Sequence, residues 1–421
     1  MNRFQTVAPR TGARWVVVAL IFLGMVISYV DRGNLSIAAP SIMRDFGIAP
    51  GAMGLLLSAF FWTYGAFQIP AGAFLDRVGI RRGYAVGFLV WSIASTSIAV
   101  SRGTGDIIGM RLVLGMAESI GPLASLAFIR NHFQGKDQGL PTSIYIAGQS
   151  IGPALGALVG TMLLDRFGWR LMFAVTGLGA LIWLPCWLLA APADEARPVQ
   201  VAVMSTRAWT WRSLVASRGF WALSLCILLA SYYWYFVLTW VPTYLVVARG
   251  FSTLAMGRVV STGLFTVAAT NVLAGYSADR LARGTGVFRV RVLFAAAGYL
   301  GTAAILLLLV LPQRAWIVPV FTFSMCATGM GNASFWAIAQ HVSPANMTGR
   351  TVGFLNTLSQ VAGVAAPLVT GWILGPEKHF GPAILVAGMC PVLAGACLLA
   401  VGSRGLHSLK AVLGGETWLE C

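Results

Sequence analysis

Four ionisable residues stand inside long apolar runs of this chain: Asp31, Arg32, Arg111 and Glu118. An ionisable group at the centre of a membrane helix costs about 2.5–3.5 kcal/mol on insertion scales, so each needs a reason. Two acids balance two bases. Arg111 and Glu118 are seven residues apart. On a helix that is two turns along one face, about 10 Å, which suits a pocket holding a solute between them better than a direct bond. Asp31 and Arg32 are adjacent, hence about 100° apart around a helix. One can face a cavity while the other faces a neighbouring helix. The alternative is an ion-pair lock between helices, but desolvation can exceed the attraction within a buried pair.

The chemistry of these types points to anion binding linked to protons. A guanidinium stays charged and offers a planar fork to a carboxylate. A cargo carboxylate that takes an arginine must displace Asp31 or Glu118. The freed side chain is costly at this depth unless it takes a proton. Anion and proton binding then favour each other.

The elements that must hold these groups are membrane helices. The 421 residues are 57% hydrophobic and 10% charged. A soluble domain carries about 25% charged residues, so lipid must solvate most of this surface. Twelve runs reach the roughly 20 apolar residues of a spanning helix: about 15–38, 53–75, 83–100, 105–130, 140–163, 171–191, 217–246, 254–277, 290–311, 315–340, 351–374 and 380–402. The first is too long for a signal-peptide core. The longest polar gap, 192–216, divides residues 1–191 from 217–421 and gives six helices on either side. With both termini in the cytoplasm, the inner side carries 19 Lys+Arg and the outer side 8. That asymmetry sets the orientation. The net charge of +16 belongs to these loops, and no finger, RNP or basic-helix motif directs it to nucleic acid.

Uncharged polar residues also stand at depth. Tyr64 and Gln68 are four apart in the second run, and Gln149 lies in the fifth. Asn332, Trp336 and Gln340 follow a four-residue spacing, as do Asn356 and Gln360. Such stripes either line a cavity or bond neighbouring helices together. The seventh run carries Tyr232, Tyr233 and Trp240. Trp240, just before Pro242, reads as an interface anchor, and the two tyrosines as deeper residues able to reach a solute. Gly148, Gly152, Pro153 and Gly156 read as a helix-packing stripe. The six cysteines form no C-x-x-C pair. Five read as packing residues within apolar runs, with Cys421 at the end. The four histidines stand apart in loops or at helix ends. Gly135-Lys136 is followed by Asp137, so no phosphate-cradling loop exists. No cofactor and no structural metal are expected.

Gly72-Ala-Phe-Leu-Asp76-Arg77-Val-Gly79 ends the second run, and Gly275-Tyr-Ser-Ala-Asp279-Arg280 ends the eighth. A six-helix unit used twice in one orientation is a parallel-repeat transporter pattern. With Arg81 and Arg82, the first copy resembles the loop signature of the major facilitator superfamily. Tyr29-Val-Asp31-Arg32-Gly-Asn34, Ser58-Ala-Phe60 and Tyr64-x-x-x-Gln68-x-Pro70-x-Gly72 resemble its anion:cation symporter branch. That branch includes bacterial sugar-acid transporters and vesicular glutamate and sialic-acid transporters.

The resemblance implies an all-α membrane fold of two six-helix bundles with pseudo-twofold symmetry. It implies symport of a small organic anion, a sugar acid or other carboxylate, with protons into the cell by alternating access. It places substrate binding on Arg32 and Arg111, with Tyr29, Tyr64, Gln149, Tyr233, Trp336 and Asn356 about the pocket. Proton coupling falls on Asp31 and Glu118, and gating on Gly72, Asp76, Arg77, Gly79, Arg81, Asp279 and Arg280. The protein is expected as a monomer in a bacterial inner membrane. After Glu118 the chain reads Ser-Ile-Gly121-Pro122-Leu-Ala-Ser125, which departs from the Pro- and Asn-bearing stretch of the sugar-acid transporters and leaves the particular acid open. A drug/proton antiporter and a non-transporting anion sensor are the alternative readings. An enzyme is not expected, because no nucleophile–base pair stands at depth.

Overall fold

The computed structural model describes residues 11–133, 137–193, 218–285, 287–311, 313–343 and 348–412. Most of the 192–216 linker lies outside them, as do Lys136 and Cys421. Every regular element among the described residues is helical. The helices are α1 (Thr11–Asp45), α2 (Pro50–Ala66), α3 (Gln68–Val78) and α4 (Ile80–Ser97). They continue with α5 (Thr104–His132), α6 (Gly139–Ala190), α7 (Arg218–Ala248), α8 (Thr253–Thr285) and α9 (Phe288–Val310). The last are α10 (Ile317–Val342), α11 (Thr348–Leu374) and α12 (Phe380–Val412).

Nine of the described helices are long and apolar enough to cross a membrane, or ten with α2 and α3 taken as one bent span. The 52-residue α6 covers two of the twelve apolar runs. It is interrupted at Gly168, whose φ of 78° is open to glycine at no steric cost. The turn there is tied down on both sides. Trp169 donates its indole N–H to Asp45 at 2.7 Å, and the Arg170 guanidinium reaches the Ala99 and Ser101 carbonyls at 2.9 and 2.8 Å. The remaining run, 315–340, is the 26-residue α10.

Two local departures have plain causes. The second run is not one straight helix: α2 and α3 meet at 52°. Pro70 cannot donate to the Ala66 carbonyl, and a missing bond of this kind bends a helix. Tyr64 and Gln68 therefore do not share one helix face. Trp240 is no interface anchor either. It is fully buried and donates to the Pro367 carbonyl at 3.1 Å. Pro367 lies inside α11, and this indole meets the carbonyl of that residue.

The helices divide into two compact units. The first takes the described residues of Met1–Ile48, Leu55–Pro198 and Ser252–Ser261. The second takes those of Ala49–Gly54, Val199–Phe251 and Thr262–Cys421. Within the first, α1 lies along α6. A Cβ on Gly148 would stand 3.0 Å from the Met25 side chain, and one on Gly152 only 2.7 Å from that of Tyr29. The small residues let two backbones approach closely. This is the packing role read for that stripe, and it fixes the rotation of α1 and hence the directions of Tyr29, Asp31 and Arg32.

Aromatic rings join α4 to the end of α6. Phe88 stacks on Trp183 with ring centres 4.0 Å apart, and Trp183 stacks on Trp187 at 5.1 Å. Their indole N–H groups are satisfied by backbone: Trp183 by Leu20 at 2.7 Å and Trp187 by Arg81 at 2.9 Å. Arg81 in turn donates to the Leu188 carbonyl. The loop motif is thus fastened to the end of α6.

Candidate functional site

Asp31, Arg32, Arg111 and Glu118 gather around two buried points of the first unit. At the first, Arg32 Nε donates to Glu118 Oε2 at 2.6 Å. Ser28 Oγ donates to the same oxygen at 2.6 Å. Ser28 and Arg32 are one turn apart on α1, so both reach a single oxygen of Glu118 on α5. Glu118 has no exposed side-chain area, whereas Arg32 keeps 13%. Arg32 also lies over three rings, with its Cζ 4.7 Å from Tyr29, 4.8 Å from Phe60 and 4.4 Å from Tyr64. A desolvated cation over an aromatic face gains about 2 kcal/mol. The cage therefore offsets much of what the guanidinium loses by leaving water.

The second point is Asp31. It faces away from Arg32 and accepts a hydrogen bond from Ser95 Oγ of α4 at 2.9 Å. The two adjacent residues thus serve different neighbours, as their angular separation on a helix requires. Arg111 is 2% exposed. Its Nε and Nη1 are buried without a hydrogen-bond partner, as are Arg32 Nη2, Asp31 Oδ2 and Glu118 Oε1. Arg111 Cζ lies 5.2 Å from the Phe60 ring centre. One phenyl ring therefore serves both guanidiniums, whose Cζ atoms lie within about 10 Å of each other. Glu118 turns across to α1 instead of back along its own helix toward Arg111.

Gly115 sets the α2–α5 spacing that makes this possible. A Cβ there would stand 2.2 Å from the Phe60 carbonyl oxygen and 2.5 Å from Thr63 Oγ1. Thr63 also bonds the Leu112 carbonyl at 2.7 Å. The close contact carries Phe60 and Tyr64 against Arg32. The two rings stack with centres 5.2 Å apart.

The structure gathers Tyr29, Asp31, Arg32, Tyr64, Arg111 and Glu118 in the first unit. Gln149 is half-buried on α6, within reach of the Tyr145 hydroxyl. Tyr233, Trp336 and Asn356 belong to the second unit. Tyr233 is buried, and its hydroxyl meets Ser324 Oγ at 2.6 Å, which bonds on to the Thr302 carbonyl. That side chain has an internal partner and does not offer its hydroxyl to a solute. Trp336 is half-buried against the second unit's core, edge-on to Phe335. Asn356 is exposed on α11.

Of the loop residues, Asp76 and Arg77 are exposed at the end of α3, and Gly72 packs loosely near Leu123. Gly79 links α3 to α4 with φ 93°, a conformation suited to glycine. Asp279 pairs with Arg291 of α9, and Arg280 reaches the Tyr276 hydroxyl at 3.4 Å. Among the described residues no cluster of three metal-binding side chains forms.

Four contributors were not singled out by the sequence reading: Ser28, Ser95, Phe60 and Arg291. Ser28 carried a signal, being one turn before Arg32. Phe60 stood in the Ser58-Ala-Phe60 motif, but nothing marked its ring as a shared platform. Ser95 and Arg291 become visible only once helices are packed.

Comparisons with known proteins identify relatives of the whole chain. The chain is 28% identical to the hexuronate transporter of Bacillus subtilis strain 168, over 91% of this chain and 93% of that one. It is 28% identical to a probable galactarate/D-glucarate transporter of Escherichia coli K12, covering 97% and 98%. Among solved structures, a bacterial homologue of the human lysosomal transporter Spinster superposes with a TM-score of 0.76 at 16% identity, over 96% of this chain and 98% of that one. At that identity the likeness speaks for the fold alone. The sequence profile of the Major Facilitator Superfamily matches residues 21–367, spanning both units. A multi-pass helical bundle whose fully buried charges, among the described residues, lie in the first unit and whose signature loop lies at 72–82 is thus a membrane transporter, not an enzyme, and the chain belongs to the Major Facilitator Superfamily.

Proposed function

We propose that this protein is a secondary active transporter carrying a small organic anion together with protons into the cell. The observation that supports it most is the state of the two arginines. Arg32 is neutralised by a carboxylate of the protein itself, while Arg111 keeps buried N–H groups without a partner. A cargo carboxylate meets Arg111 first and then competes with Glu118 for Arg32. Both guanidiniums rest on Phe60, so a single small anion can span them. Glu118, once displaced, keeps only Ser28 as a donor. At zero exposure it is held best by a proton. Asp31, bonded only to Ser95, is the second candidate carrier.

The relatives' names supply the cargo class: hexuronates, galactarate and D-glucarate are sugar acids. Tyr29, Tyr64 and Gln149 are the further cargo-binding candidates on the first unit, and Trp336 and Asn356 those on the second. Residues 1–191 and 217–421 act as the two moving bundles, joined by a cytoplasmic linker at 192–216. Gly72, Asp76, Arg77, Gly79, Arg81, Asp279 and Arg280 act in gating. The termini face the cytoplasm of a bacterial inner membrane, and the working unit is a monomer.

The test is uptake of labelled galactarate, D-glucarate and a hexuronate by proteoliposomes. Inward acid-driven accumulation above equilibrium supports the reading. Uptake of a sugar acid at a rate indifferent to the imposed pH gradient removes the proton. Failure of every organic acid to shift the melting temperature, or to enter, removes the anion.

A further inference from the structure

Beside Glu118 the first unit holds a small void with room for about one water molecule. Its wall includes Ser28, Tyr84, Trp91, Glu118 and Ser125. Three of these residues carry a buried polar atom with no hydrogen-bond partner: Glu118 Oε1, Trp91 Nε1 and Ser125 Oγ. Their residues are 1%, 1% and 0% exposed. The Tyr84 hydroxyl interacts with Ser125 without reaching hydrogen-bond geometry. Three residues around one void thus carry a buried polar atom without a partner, and a single ordered water can serve all three.

We propose that this void is a specific water site that holds Glu118 in both of its protonation states. The inference rests on the proton-carrying role argued above. The donor and acceptor count supports it. Trp91 Nε1 can only donate, a hydroxyl does either, and water offers two donors and two acceptors. With Glu118 ionised, the water accepts from Trp91 and donates to Glu118 Oε1 and to Ser125. With Glu118 protonated at Oε1, the water accepts from both Glu118 and Trp91 and donates to Ser125. Each state makes three bonds with the same atoms, and only the direction of one of them reverses. A protonation change at this depth then strands no polar group.

The charged and titratable groups about Glu118 are Arg32, Asp31 and Tyr29 from α1, Tyr84 from α4, Arg111 from α5 and, across the void, Tyr145 from α6. Arg32 occupies Oε2, so the void serves the other oxygen. The residues around the void all belong to the first unit. Tyr84 reaches it because Gly24 has no side chain: a Cβ there would stand 2.7 Å from the Tyr84 hydroxyl.

A density map of the whole protein in a lipid nanodisc, sharp enough to show ordered water, is the direct test. A water within about 3.2 Å of Glu118 Oε1, Ser125 Oγ and Trp91 Nε1 is expected. No density, or a water bonded to fewer than two of these atoms, overturns the site. Ser125→Val fills the void and Ser125→Ala removes one partner but leaves the room. In proteoliposomes loaded with D-glucarate, Ser125→Val should slow acid-driven uptake about tenfold or more, with Ser125→Ala intermediate. Exchange of labelled for unlabelled D-glucarate at equal pH should stay within about twofold, since it needs no net proton movement. Equal losses in both assays, or none in either, overturn the role. A wild-type uptake that ignores the gradient overturns the proton coupling itself, while the map still decides the site.

Discussion

Lysine at Arg32 and at Arg111 should weaken anion binding unequally, with the larger loss at Arg111. Each variant keeps the charge and the stem but loses the planar fork. A charge-assisted hydrogen bond contributes about 1.5–3 kcal/mol, so giving up one of two to a carboxylate raises Kd roughly 10- to 150-fold. At Arg111 nothing offsets that loss, because its Nε and Nη1 bond to no group of the protein. At Arg32 the same change also weakens the grip on Glu118, which holds Nε at 2.6 Å. The anion's competitor is weakened along with the anion, and the two losses partly cancel. The expected order is therefore wild type tightest, Arg32→Lys next, Arg111→Lys weakest. Isothermal titration of a sugar acid into detergent-solubilised protein at fixed pH and salt reads all three. Both variants within threefold of wild type, or Arg32→Lys clearly the weaker binder, would refute the assignment of Arg111 as the first contact.

The other expectations are more direct. Glu118→Gln leaves Arg32 without an internal anion, so binding should tighten while accumulation against a gradient is lost; binding and uptake measured on one preparation check this. Phe60→Leu removes the ring beneath both guanidiniums, each contact being about 0.5–2 kcal/mol, and should raise Kd by more than Tyr64→Leu, which underlies only Arg32. Gly115→Ala forces a Cβ to 2.2 Å from the Phe60 carbonyl. Overpacking of this kind typically costs about 1–3 kcal/mol or more, visible as a lower melting temperature with or without ligand. Trp187→Phe removes the donor to the Arg81 carbonyl and should lower the melting temperature without changing Kd.

The fold was legible because its signal is one of composition. Twelve apolar runs and the paired loop motifs carry it, and each run is helical where described. What the sequence does not encode locally is direction. Spacing put Arg111 and Glu118 on one helix face but could not say that Glu118 turns to α1. That depends on the rotation of α1, which Gly148 and Gly152 set through contact with Met25 and Tyr29. Tyr233 and Trp240 misled for the same reason. Aromatic residues of a spanning helix serve interface, pocket or core equally well, and only packing shows that these two are core. The bend at Pro70 was readable from the residue itself, as the loss of one hydrogen bond.

The three rings about Arg32 bear on which part of the site moves. Tyr29, Phe60 and Tyr64 stand about the guanidinium, whose Nε donates to Glu118. Exchanging Glu118 for a cargo carboxylate therefore replaces one anion by another and leaves the arginine among its rings. The two states make similar bonds and differ little in energy. A ligand shifts such an equilibrium only through a difference in affinity between states. The deciding difference is then the fate of Glu118, whether it remains a buried charge without its guanidinium or is neutralised by a proton. On this argument a neutral sugar with every hydroxyl of the acid shifts nothing, because it gives Arg32 no reason to release Glu118. An acid with the carboxylate but fewer hydroxyls retains the coupling and loses only affinity.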